Sequence, residues 1–297
     1  MLCLFDFDLA ANPHLRLELY DQDEDDEVPF DNAVDYWRRG VGQVTSHLNT
    51  TGRGQAVAAW NGLFFATDDK AGGYKGTGRH IAPVVLQGRV YDNVGNHRWT
   101  FGVQYQNGRP VFKSLHLPDR STLAREFTFA AAGAQCLVRH GLPVKLQPFP
   151  RPGDKPIPQP VPSTPEEVGH IPVVDHIRTS RTSMGWSRDN RHLYLLIVKE
   201  PDSETASVWA FRHRVPLRGG WTVADLQRFW QAMKVWGAVN IDGGEVTQMV
   251  YRRKDGQYAM IPPRWAALQP LLLFPPSLPN APEGGTLMYF YVRDTRG

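Results

Sequence analysis

The stretch Thr100-Phe-Gly-Val-Gln-Tyr-Gln-Asn107-Gly108-Arg-Pro-Val-Phe-Lys113 decides the fold class. Two strand-like runs flank Asn107-Gly108, and this dipeptide favours a two-residue hairpin turn because both residues tolerate a positive φ. Strand-like runs also flank Gln87-Gly88, His140-Gly141 and Asp255-Gly256. The sequence therefore predicts antiparallel strand pairs along much of the chain.

One clear helix is predicted in the second half. Thr222 and Asp225 form a capping-box start, and Gly237 supplies a stop, so the helix is expected from Thr222 to Trp236. Its apolar stripe is expected to be core and consists of Leu226, Phe229, Trp230 and Met233. A buried strand, 238–241, follows. The predicted fold class is α+β: a single domain over residues 1–297 with a mixed, largely antiparallel sheet and few helices.

Length and composition are those of an ordinary globular protein. The 297 residues are 41% hydrophobic and 21% charged, and a chain this long buries enough surface to fold without disulfides or metal. Its two cysteines, Cys3 and Cys136, are too few for a disulfide framework or a four-cysteine zinc site. No apolar run reaches the length of a membrane-spanning helix.

The first residues do not form a signal peptide, because Asp6 and Asp8 interrupt the opening apolar run and no basic residue precedes it. We therefore expect a cytoplasmic location for the chain as it stands, or a secreted or envelope location if the chain is a trimmed fragment.

Charge is unevenly distributed along the chain. The net charge is +3, although residues 21–27 contain six acids, so the remainder is mildly basic and tolerates an anionic ligand. Nucleic-acid binding is not favoured, since no helix, glycine-loop or zinc motif for that role is present. The acidic run resembles a calcium loop but has Asp26 where glycine is needed and Asn32 where glutamate is needed. A solvated acidic loop is expected, with a cation site as the alternative.

Proline is concentrated in one internal segment. Ten of the 24 prolines lie between Pro143 and Pro172. Because proline fixes φ and lacks an amide donor, we expect a polyproline-like or irregular surface loop over about 143–172.

Three segments contain residue types that are suited to catalysis or to ligand binding. In Val239–Gly244 a buried strand ends in Asp242-Gly243-Gly244, and the glycine amides are able to form an anion-binding concavity; a tight turn with a satisfied carboxylate is the alternative. Segment 176–185 holds Arg178 and Arg181, whose guanidinium groups suit a phosphate, although surface arginines are common. The third segment is the strand 55–60 that turns at Asn61-Gly62.

The order and spacing of these segments resemble the phosphodiester glycosidase family. Asn61–Phe65 matches the family's Asn-Gly-Gly-Phe-Phe element, Arg181–Gly185 is similar to its Arg-Thr-Ala-Ile-Gly element, and Asn240–Val246 resembles Asn-Leu-Asp-Gly-Gly-Gly-Ser. The resemblance is strongest over 57–292. The chain departs from the pattern at Leu63, which replaces a glycine, and at Glu245-Val246, which replace a glycine and a serine.

This resemblance implies hydrolysis of the bond between a sugar's anomeric carbon and a phosphodiester oxygen. The implied catalytic residues are Asp242, as nucleophile, base or electrostatic stabiliser, Arg181, as partner of the phosphate, and Asn61. The implied substrate-binding residues are Gly62, Thr182, Asn240, Gly243, Gly244, Glu245 and His176. The partner is a carbohydrate or sugar-phosphodiester substrate, and neither a metal nor another cofactor is implied.

Two questions stay open at this level. A non-catalytic carbohydrate-binding protein on the same scaffold is the alternative function, favoured by the departure at Glu245-Val246 and by nine Trp and ten Tyr able to stack on sugars. If Glu245 borders the same cleft as Asp242, it repels a phosphate. Three possibilities are therefore left open: the substrate differs from the family's usual one, Glu245 points outward, or activity is lost.

Overall fold

The computed structural model describes residues 1–35, 39–51, 54–68, 77–91, 99–146, 178–199, 219–263, 272–274 and 285–296. His176 and all but the first residues of the proline-rich segment lie outside this set. The helices are α1 (Val41–Thr50), α2 (Arg120–Glu126) and α3 (Val223–Ala232). The strands are β1 (Leu2–Asp8), β2 (Leu15–Asp21), β3 (Val34–Asp35), β4 (Gln55–Asn61), β5 (Phe65–Asp68), β6 (Thr77–His80), β7 (Val84–Leu86), β8 (Arg89–Tyr91), β9 (Trp99–Gln106), β10 (Arg109–His116), β11 (Phe129–Arg139), β12 (Leu142–Pro143), β13 (Arg181–Trp186), β14 (His192–Val198), β15 (Gly237–Asn240), β16 (Met249–Arg252), β17 (Tyr258–Ile261), β18 (Leu272–Phe274) and β19 (Met288–Asp294).

These strands form three sheets. A ten-stranded sheet runs in the order β1-β14-β13-β15-β11-β7-β8 and also includes β9, β10 and β12. A six-stranded sheet has the order β18-β17-β16-β4-β19-β2, and a small sheet has the order β3-β6-β5. The α+β class is confirmed, but the expectation of one mixed sheet is wrong: the described strands form three sheets, and every pairing among them is antiparallel.

The main core lies between the two large sheets. Trp60 and Phe290 of the six-stranded sheet have ring centroids 6.3 Å apart. Phe290 lies 5.7 Å from Phe101 of the ten-stranded sheet, which in turn lies 5.3 Å from Trp186. Aromatic contacts at these separations stabilise the stack beyond the area they bury.

A helix covers the outer face of each large sheet. Alternation along β19 directs Phe290 to the main core and Tyr291 to the opposite face, where α1 packs. Along β14, Leu195 joins the main core and Leu196 packs with α3. The order of layers is therefore helix, sheet, sheet, helix.

The hairpin turns follow the sequence expectation. At Gln87-Gly88, Asn107-Gly108 and His140-Gly141 both turn residues have positive φ, between 51° and 80°. The turn at Asp255-Gly256 joins β16 to β17, with Gly256 at φ 83°. This geometry matches the right-handed twist of the flanking strands.

Helix α3 begins as predicted and ends early. The Thr222 hydroxyl accepts from the Asp225 amide at 3.1 Å, and the Asp225 carboxylate accepts from the Thr222 amide at 2.9 Å, which forms the capping box. The helix ends at Ala232 rather than Trp236, because the chain reverses through Lys234 at φ 54°. Met233, expected in the core, is 37% exposed.

The acidic run is not a solvated loop, contrary to expectation. Asp21 and Asp23 are fully buried, and the Asp21 carboxylate lies 3.0 Å from Nε2 of His80 on β6. Asp25 accepts from Arg39 at 2.8 Å. Partners from other segments, the His80 ring and the Arg39 guanidinium, thus lie against the carboxylates of Asp21 and Asp25. No cluster of three or more potential metal-ligating side chains occurs within the described residues.

The ends of three strands position the candidate site. Asn61 is the last residue of β4, Arg181 the first of β13 and Asn240 the last of β15. Strands β13 and β15 pair with each other, with Ser183 opposite Asn240. No helix in the described part of the chain is long and apolar enough to cross a membrane.

Candidate active site

The three segments singled out from sequence lie together at these strand ends. Backbone hydrogen bonds join them: Asp242 N to Gly62 O (3.3 Å), Ile241 N to Thr182 O (3.0 Å) and Gly244 N to Ser180 O (2.8 Å). The Asp242 loop is therefore anchored to the end of β4 on one side and to the start of β13 on the other.

Asn61 anchors this loop from inside the protein. Its side chain is fully buried, and Nδ2 donates to the Asp242 carbonyl at 2.8 Å. Its Oδ1 accepts from the Thr182 hydroxyl at 2.7 Å and from the Gln248 amide at 3.3 Å. Thr182 is also fully buried. Both side chains thus support the Asp242 loop from behind.

Asp242 carries the half-buried carboxyl group of the site. Burial raises the pKa of this carboxyl to about 7, although the Gly243 amide, which donates to Oδ1 at 2.7 Å, and the charge of Arg181 act in the opposite direction. A carboxyl with a pKa near neutrality is able both to accept and to donate a proton at physiological pH.

Arg181 supplies the positive charge beside Asp242. Its side chain is 1% exposed, and Nε donates to the Trp221 carbonyl at 2.9 Å. Trp221 is itself held by two backbone hydrogen bonds with Thr179, of 2.9 and 3.3 Å. The guanidinium is therefore fixed in place and largely shielded from water, which strengthens its field at the site.

The second arginine of this segment has a different role. Arg178 is exposed and pairs with Asp225 at 3.1 Å, and its Nη2 donates to the Gly220 carbonyl at 3.0 Å. It therefore connects the segment to the beginning of α3 rather than entering the site.

The glycines after Asp242 do not form the expected anion concavity. The Gly243 amide donates to the Asp242 carboxylate, and the Gly244 amide donates to Ser180, so both donors are engaged within the protein. The loop instead needs glycine for close packing, since a Cβ at Gly243 would lie 2.7 Å from the Ser180 carbonyl oxygen. Gly244 adopts φ +63°, which a side chain disfavours.

Packing also explains the remaining motif residues that the structure describes. A Cβ at Gly62 would lie 2.3 Å from Cγ of Met288 and 2.7 Å from its carbonyl oxygen. Leu63, the departure from the family pattern, is fully buried in the main core. Asn240 is fully buried and donates to Gln135 at 2.6 Å. The side chain of Glu245 lies outside the described part of the structure, as does His176.

Sequence reasoning missed two residues of the site. The Trp221 carbonyl accepts from Arg181, and Trp221 is half-buried, as are Thr179 and the Asp242–Gly244 loop. Gln248 bonds Asn61 through its backbone and receives the Val41 amide of α1 on Oε1 at 3.2 Å. Neither lies in a matched motif, and no local pattern marks them, because their roles depend on contacts distant in sequence.

Two solved structures of known proteins resemble this chain in fold. The structure resembles the catalytic domain of zebrafish N-acetylglucosamine-1-phosphodiester α-N-acetylglucosaminidase, auto-inhibited by its pro-peptide, with a TM-score of 0.52, 16% identity, and 98% of this chain and 88% of that chain covered. It also resembles a putative exported protein of Burkholderia pseudomallei, with a TM-score of 0.53, 14% identity, and coverage of 98% and 73%. These likenesses concern the fold.

No curated protein sequence matches the chain significantly. The phosphodiester glycosidase family model, in contrast, matches residues 54–269, most of the chain and all three site segments. The chain belongs to the phosphodiester glycosidase family.

Proposed function

We propose that this protein is a hydrolase that cleaves the glycosidic bond of a sugar-1-phosphodiester or a related glycoside. Family membership supports the reaction class. The observation that carries the proposal is the Asp242 carboxyl, half-buried beside the Arg181 charge, with a pKa raised to about 7. Such a perturbed, half-buried carboxyl beside a fixed charge is typical of an acid–base group.

In the proposed reaction Asp242 acts as a general base. Its ionised carboxylate accepts a proton from water while the water oxygen attacks the anomeric carbon. The bond from that carbon to the phosphodiester oxygen breaks, and its electron pair leaves with the phosphate. The phosphate is a good leaving group, so protonation by a general acid is not required.

Arg181 has an electrostatic role in this scheme. Negative charge on the phosphate grows as the bond breaks, and a fixed, desolvated guanidinium stabilises that charge more than solvent would. Because Arg181 is 1% exposed, it acts on the phosphate through its charge beside Asp242 rather than through an exposed surface. Asn61 and Thr182 act as positioning residues for the Asp242 loop.

The half-exposed residues around the carboxyl are proposed to contact the sugar. Trp221, whose carbonyl holds Arg181, has a half-buried indole, and an indole face suits the apolar face of a pyranose. Gly243 and Gly244 follow the carboxyl-bearing residue in the same loop, with their amides already engaged within the protein.

The test is release of reducing sugar from synthetic sugar-1-phosphodiesters by the wild type and by Asp242→Asn. We expect hydrolysis by the wild type and a loss of at least about a hundredfold in kcat in the variant, the lower range for removal of an acid–base group. Asp255→Asn, on the exposed β16–β17 turn, is the matched control and should retain full activity. Turnover of Asp242→Asn near the wild-type rate would contradict the mechanism. Saturable binding by the wild type without any release would instead select the carbohydrate-binding alternative.

A further inference from the structure

The position of Arg181 depends on a carbonyl group from another segment. Its Nε donates to the Trp221 carbonyl at 2.9 Å, and the two residues are 40 positions apart along the chain. Trp221 immediately precedes Thr222, the N-terminal capping residue of α3. The place of the guanidinium therefore depends on how residues 219–222, the entry to α3, lie against the start of β13.

The backbone provides one narrow connection between these two segments. Thr179 and Trp221 form a single antiparallel bridge, with hydrogen bonds of 2.9 and 3.3 Å, which is isolated from the strands that the structure describes. Such a bridge is a weak constraint, since even an isolated two-stranded hairpin is only marginally stable in water. A side chain that ties the two segments together therefore adds substantially to how firmly the Trp221 carbonyl is held.

The side chain of Arg178 makes that connection with two nitrogens. Nη2 donates to the Gly220 carbonyl at 3.0 Å, and Nη1 donates to Oδ2 of Asp225 in the first turn of α3 at 3.1 Å. Because the donors of a guanidinium have fixed relative positions, the two contacts set both the distance and the orientation of the α3 entry. Gly220 is the residue directly before Trp221, so this contact lies next to the carbonyl that holds Arg181.

A second arginine on α3 provides a comparison. Arg228 donates to Oδ1 of Asp225, three residues further along the chain. The side chains of Arg228 and Arg178 are 73% and 48% exposed. Both arginines thus pair with the same carboxylate, but of the two it is Arg178 that also binds the carbonyl of Gly220 in the described structure.

We infer that Arg178 is a positioning residue of the active site, which fixes the Trp221 carbonyl and, through it, the guanidinium of Arg181. Of the charged groups that the structure describes, Arg181 is the one whose charge acts on the Asp242 carboxyl, so an effect of Arg178 on the site passes through Arg181. The inference rests on the proposed function for the catalytic role of Arg181. Its structural part, that Arg178 holds Arg181 in place, is independent of that function.

The structural part is tested by NMR hydrogen exchange at the Nε–H group of Arg181, whose resonance is assigned by its absence in Arg181→Lys. Arg178→Gln should accelerate this exchange about fivefold, because the hydrogen bond to the Trp221 carbonyl opens more often. Arg228→Gln removes the same charge from the same carboxylate and should leave the exchange rate within about twofold of wild type. Both variants should unfold at nearly the wild-type urea concentration, since the replaced side chains are exposed.

The catalytic part is tested by the kinetics of sugar release from a synthetic sugar-1-phosphodiester. Arg178→Gln should lower kcat about fivefold and leave KM nearly unchanged, because a less firmly placed guanidinium stabilises the departing phosphate less. Arg228→Gln should retain the wild-type kcat. An unchanged Nε–H exchange rate in Arg178→Gln, or the same acceleration in both variants, would overturn the inference.

The proposed function and this inference fail separately. If the wild type hydrolyses the substrate and Arg178→Gln does so with the wild-type kcat, the positioning role is wrong although the function stands. If the wild type releases no sugar, the proposed function fails, and the exchange rate of the Arg181 Nε–H group alone decides whether Arg178 holds that side chain in place.

Discussion

At the scale of single residues, the pKa of the Asp242 carboxyl is set by opposing effects. Burial disfavours the ionised form, whereas the Gly243 hydrogen bond and the Arg181 charge favour it. The balance places its pKa at about 7, well above the value of 3.8 for an exposed aspartate. Because the opposing groups are fixed by the fold, the same carboxyl would titrate normally in the unfolded chain.

This balance predicts the pH dependence of the proposed reaction. A general base must be ionised, so kcat/KM should rise with pH through an apparent pKa of about 7 and then level off. Well below that pH it should fall about tenfold per unit. The measurement is initial-rate kinetics across the range from about pH 5 to pH 9. A rate that falls as pH rises through 7 would show instead that the protonated carboxyl is the active form.

The same shift predicts how stability responds to pH. The folded-state pKa is raised, so ionisation of Asp242 favours the unfolded chain, and the resulting loss of stability develops from about pH 4 to pH 7. Asp242→Asn removes this ionisation while keeping an oxygen for the Gly243 amide. The difference in free energy of unfolding between the variant and the wild type should therefore shift in favour of the variant by on the order of 4 kcal/mol between about pH 4 and about pH 8, since about three pKa units at about 1.4 kcal/mol each are involved. Urea unfolding at both pH values measures this, and a pH-independent difference would contradict it.

Local chemistry predicts part of the site and tertiary packing decides the rest. The spacing of Asn61, Arg181 and Asp242 identifies segments that the structure brings together. Residue types alone do not reveal that Asn61 is fully buried behind the loop, or that the glycine amides are engaged internally. Those facts depend on which backbone groups lie opposite each other after folding.

At the scale of elements, the turns and helix starts were the most predictable features. A two-residue hairpin turn needs positive φ at both positions, a local demand that Asn107-Gly108 meets without help from the rest of the chain. The capping box of α3 is equally local. The end of α3 was not predictable, because the reversal at Lys234 serves the entry into β15.

The contact between β4 and β13 gives an element-scale prediction. The Thr182 hydroxyl donates to Asn61 at 2.7 Å within the buried support of the Asp242 loop. Thr182→Val keeps the shape but removes this donor, and should cost about 1–2 kcal/mol of stability. As a positioning change it should lower kcat several-fold and leave KM nearly unchanged. Thr50→Val on the exposed end of α1 is the control; a purely structural role for Thr182 would leave kcat unaltered in the folded variant.

At the scale of the whole molecule, the two large sheets share one core and one site. The ring contacts from Trp60 through Phe290 and Phe101 to Trp186 cross between the sheets. Asn61 comes from one sheet and Thr182 from the other, and their side chains bond directly. This sharing supports the proposal that residues 1–297 form a single domain. It also explains why alternation in single strands does not predict the layered arrangement, which depends on which faces meet.

The buried acidic run connects the small sheet to the six-stranded sheet. Asp21 ends β2, and its partner His80 ends β6, 59 positions along the chain. Both side chains are fully buried. The sequence alone suggests a solvated loop because neither His80 nor Arg39 is near these acids in sequence. Folding brings His80 and Arg39 to these acids. Removal of either member of the Asp21–His80 pair should leave the other member buried without its hydrogen-bond partner.

This pairing yields a prediction for the stability of the fold as a whole. Asp21→Ala deprives the buried His80 ring of its carboxylate and removes the acceptor of the Asp23 amide, which the Asp21 side chain binds at 3.1 Å. A buried hydrogen-bonding group left without its partner costs about 1–3 kcal/mol, so the variant should unfold at a lower urea concentration. Glu27→Ala, an exposed acid in the same run, should change the free energy of unfolding by about 0.5 kcal/mol or less. If the two variants unfold at the same urea concentration, the Asp21–His80 pair does not hold the sheets together, and their association must rest on apolar packing alone.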